Sequence, residues 1–187
     1  MSVIHKKVGR GNALKYGVDN QKTFLLEKEC LEKLAKNYEC SCGLNTFHFP
    51  KIVCSYDIPN ERGFVLTDCG NDLYYFWKKI YIEGRNRWND DKLRNKIPVL
   101  EDQVNCIIRS LELNNIQHLD MGKKSTALNG SNLCLSRKGV LSLIDFDIAS
   151  IGQSYLSKEF ENKADKDWPG YEGFKIKILD VCKQIAK

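Results

Sequence analysis

Hydrophobic positions along this chain switch between a period near 3.6 and a period of two, and the switches mark out its elements. Phe24, Glu27, Leu31 and Leu34 fall on one helical face, which predicts a helix from about Lys22 to Asn37. Leu100, Val104, Ile107, Ile108 and Leu111 predict a second from about Val99 to Asn114, and Phe174, Ile178 and Val181 a last one from about Glu172 to Ala186. A further helix is expected over Asp72 to Glu83, where Tyr74, Tyr75, Phe76 and Trp77 run consecutively and read as packing residues. Strand-like runs occupy Val3 to Val8, Lys51 to Tyr56 and Gly63 to Thr67, the last two around the turn Asp57-Ile58-Pro59-Asn60-Glu61-Arg62. Leu133 to Leu135 and Val140 to Ile144 make a second hairpin with Gly139 in its turn. The pattern is that of an α+β chain.

Between Ile116 and Ser150 polar residues interrupt this pattern in a particular order. His118 and Asp120 sit in a loop, Asn132 opens one apolar run, and Asp145 closes the next. Two carboxylates and an amide are what γ-phosphoryl transfer from ATP requires. Hard Mg²⁺ takes oxygen ligands such as an Asp carboxylate and an Asn carbonyl, and the acceptor hydroxyl needs a carboxylate beside it.

The order His-x-Asp, Asn, Asp-Phe resembles the catalytic core of the protein-kinase-like fold, in particular its compact, atypical members in viruses and bacteria. The resemblance covers about Val3 to Ser150 and implies two lobes: a truncated small lobe over residues 1–67, a hinge at 68–71, and a reduced, mostly helical large lobe over 72–187. By it, Asp120 is the base or orienter of the acceptor hydroxyl, and Asn132 and Asp145 hold the metal. Their separation of 13 positions matches the hairpin between these ligands in kinases. The match F-x-x-E-x-x-x-L-x-x-L makes Glu27 the partner of a strand lysine on the ATP phosphates, placed at Lys6, with Lys7 and Glu29 as off-register alternatives. Thr67, Asp68 and Cys69 form the hinge whose backbone faces adenine, and Gly70 follows as in such hinges. His118 is a structural histidine holding the backbone near the metal aspartate.

Several departures qualify the match. Asn132 follows Asp120 by 12 positions rather than five, so about seven residues, including Lys123, Lys124, Ser125 and Thr126, must loop out. Lys123 and Lys124 stand where cations would neutralise charge on the transferring phosphoryl group, or else mark a solvated loop tip. Asp147 replaces the glycine of D-F-G, a form similar to some sugar and lipopolysaccharide kinases. Leu119 replaces the arginine that grips an activation-loop phosphate, which argues against gating by phosphorylation. Gly9-Arg10-Gly11 is a weak stand-in for the phosphate-covering glycine loop, and an activation segment with A-P-E does not fit the 37 residues after Ser150.

The expectation is therefore an ATP- and Mg²⁺-dependent phosphotransferase acting on a hydroxyl acceptor, a protein Ser/Thr or a small sugar-type compound. The rival is a catalytically silent, kinase-derived binding or regulatory protein. Composition adds bounds. With 187 residues and 42% hydrophobic content the chain can bury a core as one domain or two small lobes. A net charge of +5 is too weak and dispersed to imply nucleic acid. No apolar signal core opens the chain and no run approaches the roughly 20 apolar residues of a span, which suggests no membrane contact and a cytoplasmic location. Eight cysteines without C-x-x-C read as reduced thiols. Cys40, Cys42, His48 and Cys54 are the right types for zinc, but their spacing matches no common finger, so they too read as unliganded.

Overall fold

The computed structural model describes residues 2–8, 20–58, 61–73, 97–120, 132–152 and 170–185. Within them the chain is α+β. In chain order the elements are β1 (Val3–Lys7), α1 (Asn20–Lys36), β2 (Ile52–Ile58), β3 (Glu61–Thr67), β4 (Asn71–Asp72), α2 (Ile97–Leu113), β5 (Ile116–Gln117), β6 (Leu133–Leu135), β7 (Leu141–Leu143), β8 (Ser150–Ile151) and α3 (Gly170–Ile185). All sheets are antiparallel: β1-β3-β2, β4-β6-β7 and the pair β5-β8.

The first sheet takes its shape from β3, the central strand. Phe64 and Leu66 alternate inward on it, and Phe64 stacks on Phe24 of α1 with ring centroids 4.7 Å apart. The register sets Lys6 directly opposite Phe64. Cross-strand partners share a face, so Lys6 projects toward α1 rather than away from it. The face of α1 expected from periodicity is the buried one, carrying Phe24, Glu27, Leu31 and Leu34. Lys28–Glu32 and Glu29–Lys33 pairs, four positions apart, cover its solvent side.

Helix α2 begins with Pro98 in its first turn, where the missing amide costs nothing, and ends at Asn115 with φ 52°, the left-handed stop. Its buried stripe is the expected one: Leu100, Val104, Ile107, Ile108 and Leu111. Helix α3 buries Phe174, Ile178 and Val181. The strands of the β6–β7 hairpin are fully buried, the connection turns at Gly139 (φ 80°), and Gln103 of α2 clamps it. The Gln103 amide donates to Gly139 O at 3.0 Å and accepts from Leu141 N at 2.7 Å. This buried glutamine was not anticipated; its polar type hid it inside an apolar stripe.

Boundaries moved by a residue or two, as helix and strand ends do. One difference is larger. Asn71 and Asp72, expected in a break and a helix start, pair instead with Leu135 and Cys134 as a short edge strand. The rest of the helix expected over Asp72 to Glu83, with Tyr74 to Trp77, lies outside the described residues, as do Gly9, Gly11 and Lys123 to Thr126. Among the described residues, no helix is long and apolar enough to cross a membrane. All eight cysteines are free thiols.

Candidate functional site

Lys6, Glu27 and Asp145 come from three distant segments and meet at one ammonium. Lys6 Nζ lies 2.7 Å from Glu27 Oε1 and 2.5 Å from Asp145 Oδ1. Glu27 is almost fully enclosed, while Lys6 and Asp145 are part-exposed. Burial works against the Lys6 charge, but the two carboxylates outweigh it and hold the ammonium well above its ordinary pKa. For Glu27 burial pushes the carboxyl upward and Lys6 opposes that, so the charge of one depends on the other. Lys7, the off-register alternative, pairs on the surface with Glu61, and Glu29 with Lys33.

The loop after β5 and the strand end after β7 face each other beside this pair. Asn132 Nδ2 donates to Asp120 O at 2.7 Å and to Asp120 Oδ2 at 3.0 Å, tying the residue that precedes β6 to the one that ends the segment after β5. Its amide nitrogen is thus committed, and its Oδ1 is the atom suited to a cation. The backbone of Ile144 donates to Asn132 O at 2.9 Å, holding the two metal-type residues across the hairpin. His118 is fully buried and its Nε2 donates to Ile144 O at 2.9 Å, one residue before Asp145. That is the backbone-holding position expected for it. Burial holds His118 below its usual pKa, so it is neutral and packs against Phe146 and Phe174.

Two residues here have positive φ without being glycine: Leu119 (58°) and Asp145 (68°). Such conformations cost about 1–3 kcal/mol each and persist where surrounding contacts over-determine them. At Asp145 the left-handed turn aims the carboxylate at Lys6 while Phe146, next in sequence, is wholly buried.

Asp147 was read only as a replacement for glycine, and the structure gives it more. Carboxylate oxygens of Asp120, Asp145 and Asp147 all lie within 4.8 Å of one another. Burial, reinforced by Asp145, pushes Asp147 up to about 7. Three acids this close repel unless a proton or cation sits among them. The signal available in sequence was the Asp-x-Asp spacing at a strand end, where alternate residues can turn to one side.

The expected hinge is more constrained than its sequence implied. Thr67 N donates to Lys51 O at 2.9 Å and Asp68 N to Ser2 O at 3.0 Å, so both amides are spent within the protein. The Asp68 carboxylate accepts from Gly70 N and from Ser2 Oγ, each at 2.8 Å. Of the three hinge residues, Cys69 is the one whose amide is left for a ligand among the described residues. Lys123 lies outside those residues, so its distance from Asp120 is not part of this geometry.

A second cluster differs from its sequence reading. Cys40, Cys42 and His48 do converge, but Cys54 is exposed on β2 and the fourth member is Cys106 of α2. No local spacing links Cys106 to the others, and only the packing of α2 brings it there.

No protein-family model matches this chain, and no curated protein matches its sequence.

Proposed function

We propose that the chain is a compact, two-lobed, kinase-like phosphotransferase that moves the γ-phosphoryl group of ATP to a hydroxyl acceptor with Mg²⁺. One observation carries the reading. Lys6, Glu27, Asp120, Asn132 and Asp145, chosen by residue type and order, gather around a single ion-paired centre. Mg²⁺ would be held by Asp145, Asn132 Oδ1 and Asp147, where three crowded carboxylates call for a cation. It would supply charge neutralisation across the β and γ phosphates.

The residues divide the work by chemistry. Lys6, oriented by Glu27, gives its ammonium to the phosphate oxygens. Asp120, steadied by Asn132, accepts the proton of the acceptor hydroxyl as its oxygen attacks phosphorus, and the bond to the bridging oxygen breaks to release ADP. The acceptor is a hydroxyl on protein Ser/Thr or on a small compound. Cys69 would meet the adenine ring at the hinge, beside Thr67 and Asp68.

One observation favours a second reading, a kinase-derived binding protein without catalysis. Two of the three hinge amides are already used, which narrows what can hold adenine. A thermal-shift titration separates the two. The phosphotransferase reading expects stabilisation by ATP with Mg²⁺ larger than by either alone, about 2.7 kcal/mol at 100 times Kd, and ADP formation when an acceptor is supplied. Absence of any nucleotide-dependent shift would remove the ATP site.

A further inference from the structure

The segment Cys40-Ser41-Cys42-Gly43, joining α1 to β2, folds back on α2 so that three sulfurs and one imidazole face a common point. Cys42 Sγ lies 3.4 Å from Cys40 Sγ and 3.3 Å from His48 Nε2, and all four ligand-type atoms are within 4.8 Å of one another. Ligands around tetrahedral zinc, with bonds of 2.0–2.3 Å, stand about 3.5–3.8 Å apart. The cluster is therefore close to the size of a zinc shell.

Two independent contacts prepare these atoms for a metal. His48 Nδ1 lies 2.6 Å from Leu141 O. A carbonyl can only accept, so Nδ1 carries the proton and Nε2 presents a lone pair to the sulfurs. A ring proton given to a carbonyl is the usual outer support of a zinc-bound imidazole. The Ser41 backbone N–H donates to Cys106 Sγ at 3.1 Å, and the Ser41 hydroxyl lies 3.2 Å from the same sulfur. Donors aimed at sulfur stabilise a thiolate.

We infer that Cys40, Cys42, His48 and Cys106 form a structural zinc site that staples the α1–β2 connection to α2. All four positions are taken by protein, which marks a closed structural site rather than a catalytic one. Zn²⁺ replaces the thiol protons as it binds, leaving a Cys₃His centre of charge −1, so affinity falls with acid. The staple ends next to the carboxylates, because Leu143 N donates to His48 O at 3.0 Å and Leu143 is two residues before Asp145. The inference does not depend on nucleotide binding.

The test uses the untagged full chain. Metal analysis should find about one zinc per chain, and Co²⁺ exchanged for zinc should show the intense visible bands of a tetrahedral site with a thiolate charge-transfer band. Alkylation of the zinc-loaded chain followed by mass spectrometry should find Cys40, Cys42 and Cys106 protected until a chelator is added. That measurement needs no variant and holds even where a substitution impairs folding. Cys42→Ser should lose the bound metal, whereas Cys54→Ser should keep it. Absence of metal and of any tetrahedral Co²⁺ spectrum would overturn the site, and so would a different protected set or retention of stoichiometric zinc in Cys42→Ser.

Discussion

The ammonium of Lys6 donates to the Asp145 carboxylate at 2.5 Å across 139 positions of sequence. With Glu27 on its other side, this one group ties the first strand, the first helix and the left-handed turn after β7. Breaking a buried ion pair costs more than its net worth, because the survivor stays buried and unpaired. Lys6→Met should destabilise the fold by roughly 2–3 kcal/mol, less than a fully buried pair because Lys6 is a quarter exposed. Adding Glu27→Gln should recover part of that loss, and the two single effects should fail to add. Denaturant melts of the four proteins measure this, and strict additivity would contradict the pairing.

The crowding of Asp120, Asp145 and Asp147 predicts how the metal is felt. Asp145→Asn removes a charge yet keeps the shape, so stabilisation by ATP with Mg²⁺ should fall far more than stabilisation by ATP alone. Asp147→Asn should raise the melting temperature without metal, since it relieves repulsion at a buried acid, and weaken the Mg²⁺ response. Thermal shifts with and without Mg²⁺ measure both. A Mg²⁺ dependence unchanged in both variants would remove the carboxylates from the metal site.

Much of the fold is legible in the sequence, for reasons that differ by residue. The stripe Leu100, Val104, Ile107, Ile108, Leu111 shows itself because a helix repeats the same burial every turn. Glu27 is legible through the motif F-x-x-E-x-x-x-L-x-x-L, and its place on a buried face is why it needs a partner; that Lys6 rather than Lys7 meets it follows from the register opposite Phe64 once β1 is paired. Asp147, Gln103 and Cys106 were not assigned their contacts, since each acts through a neighbour from a distant element that no local spacing encodes. At Thr67 and Asp68 the backbone amides are claimed by Lys51 and Ser2, and backbone partners leave no trace in side-chain identity.

Asp68 should titrate below its ordinary value. The Gly70 amide stabilises its ionised form first, and the Ser2 hydroxyl adds to that. A depressed carboxyl contributes stability that is present above the unfolded value near 4 and is lost as pH falls through the lower folded value. At this exposed site the effect on melting is small, so the direct measurement is an NMR titration of the Asp68 carboxyl or the Gly70 amide. Ser2→Ala should raise the midpoint toward the ordinary value. A midpoint unmoved by Ser2→Ala would remove the Ser2 hydroxyl as a cause of the depression.

Gly70 has φ +97°, and a Cβ placed there would meet backbone: Leu135 O at 2.6 Å, the Ser136 Cα at 2.7 Å and the Leu135 carbonyl carbon at 2.8 Å. Backbone cannot swing aside as a side-chain tip can, so Gly70→Ala combines left-handed strain with a clash against the β6 strand end. Gly170 has φ +71° but open space around its Cβ position, so Gly170→Ala isolates the strain alone. The strain should cost about 1 kcal/mol, and the clash should carry Gly70→Ala to roughly 3 kcal/mol or more. At about 2–4 °C per kcal/mol for a chain of this size, the two variants should melt several degrees apart. Because Gly70 fixes the approach of residues 67–69 to β6, the proposed nucleotide site there predicts that Gly70→Ala also reduces the nucleotide-dependent shift, while Gly170→Ala leaves it intact. Equal losses of stability in the two variants would show that the hinge does not depend on that close approach.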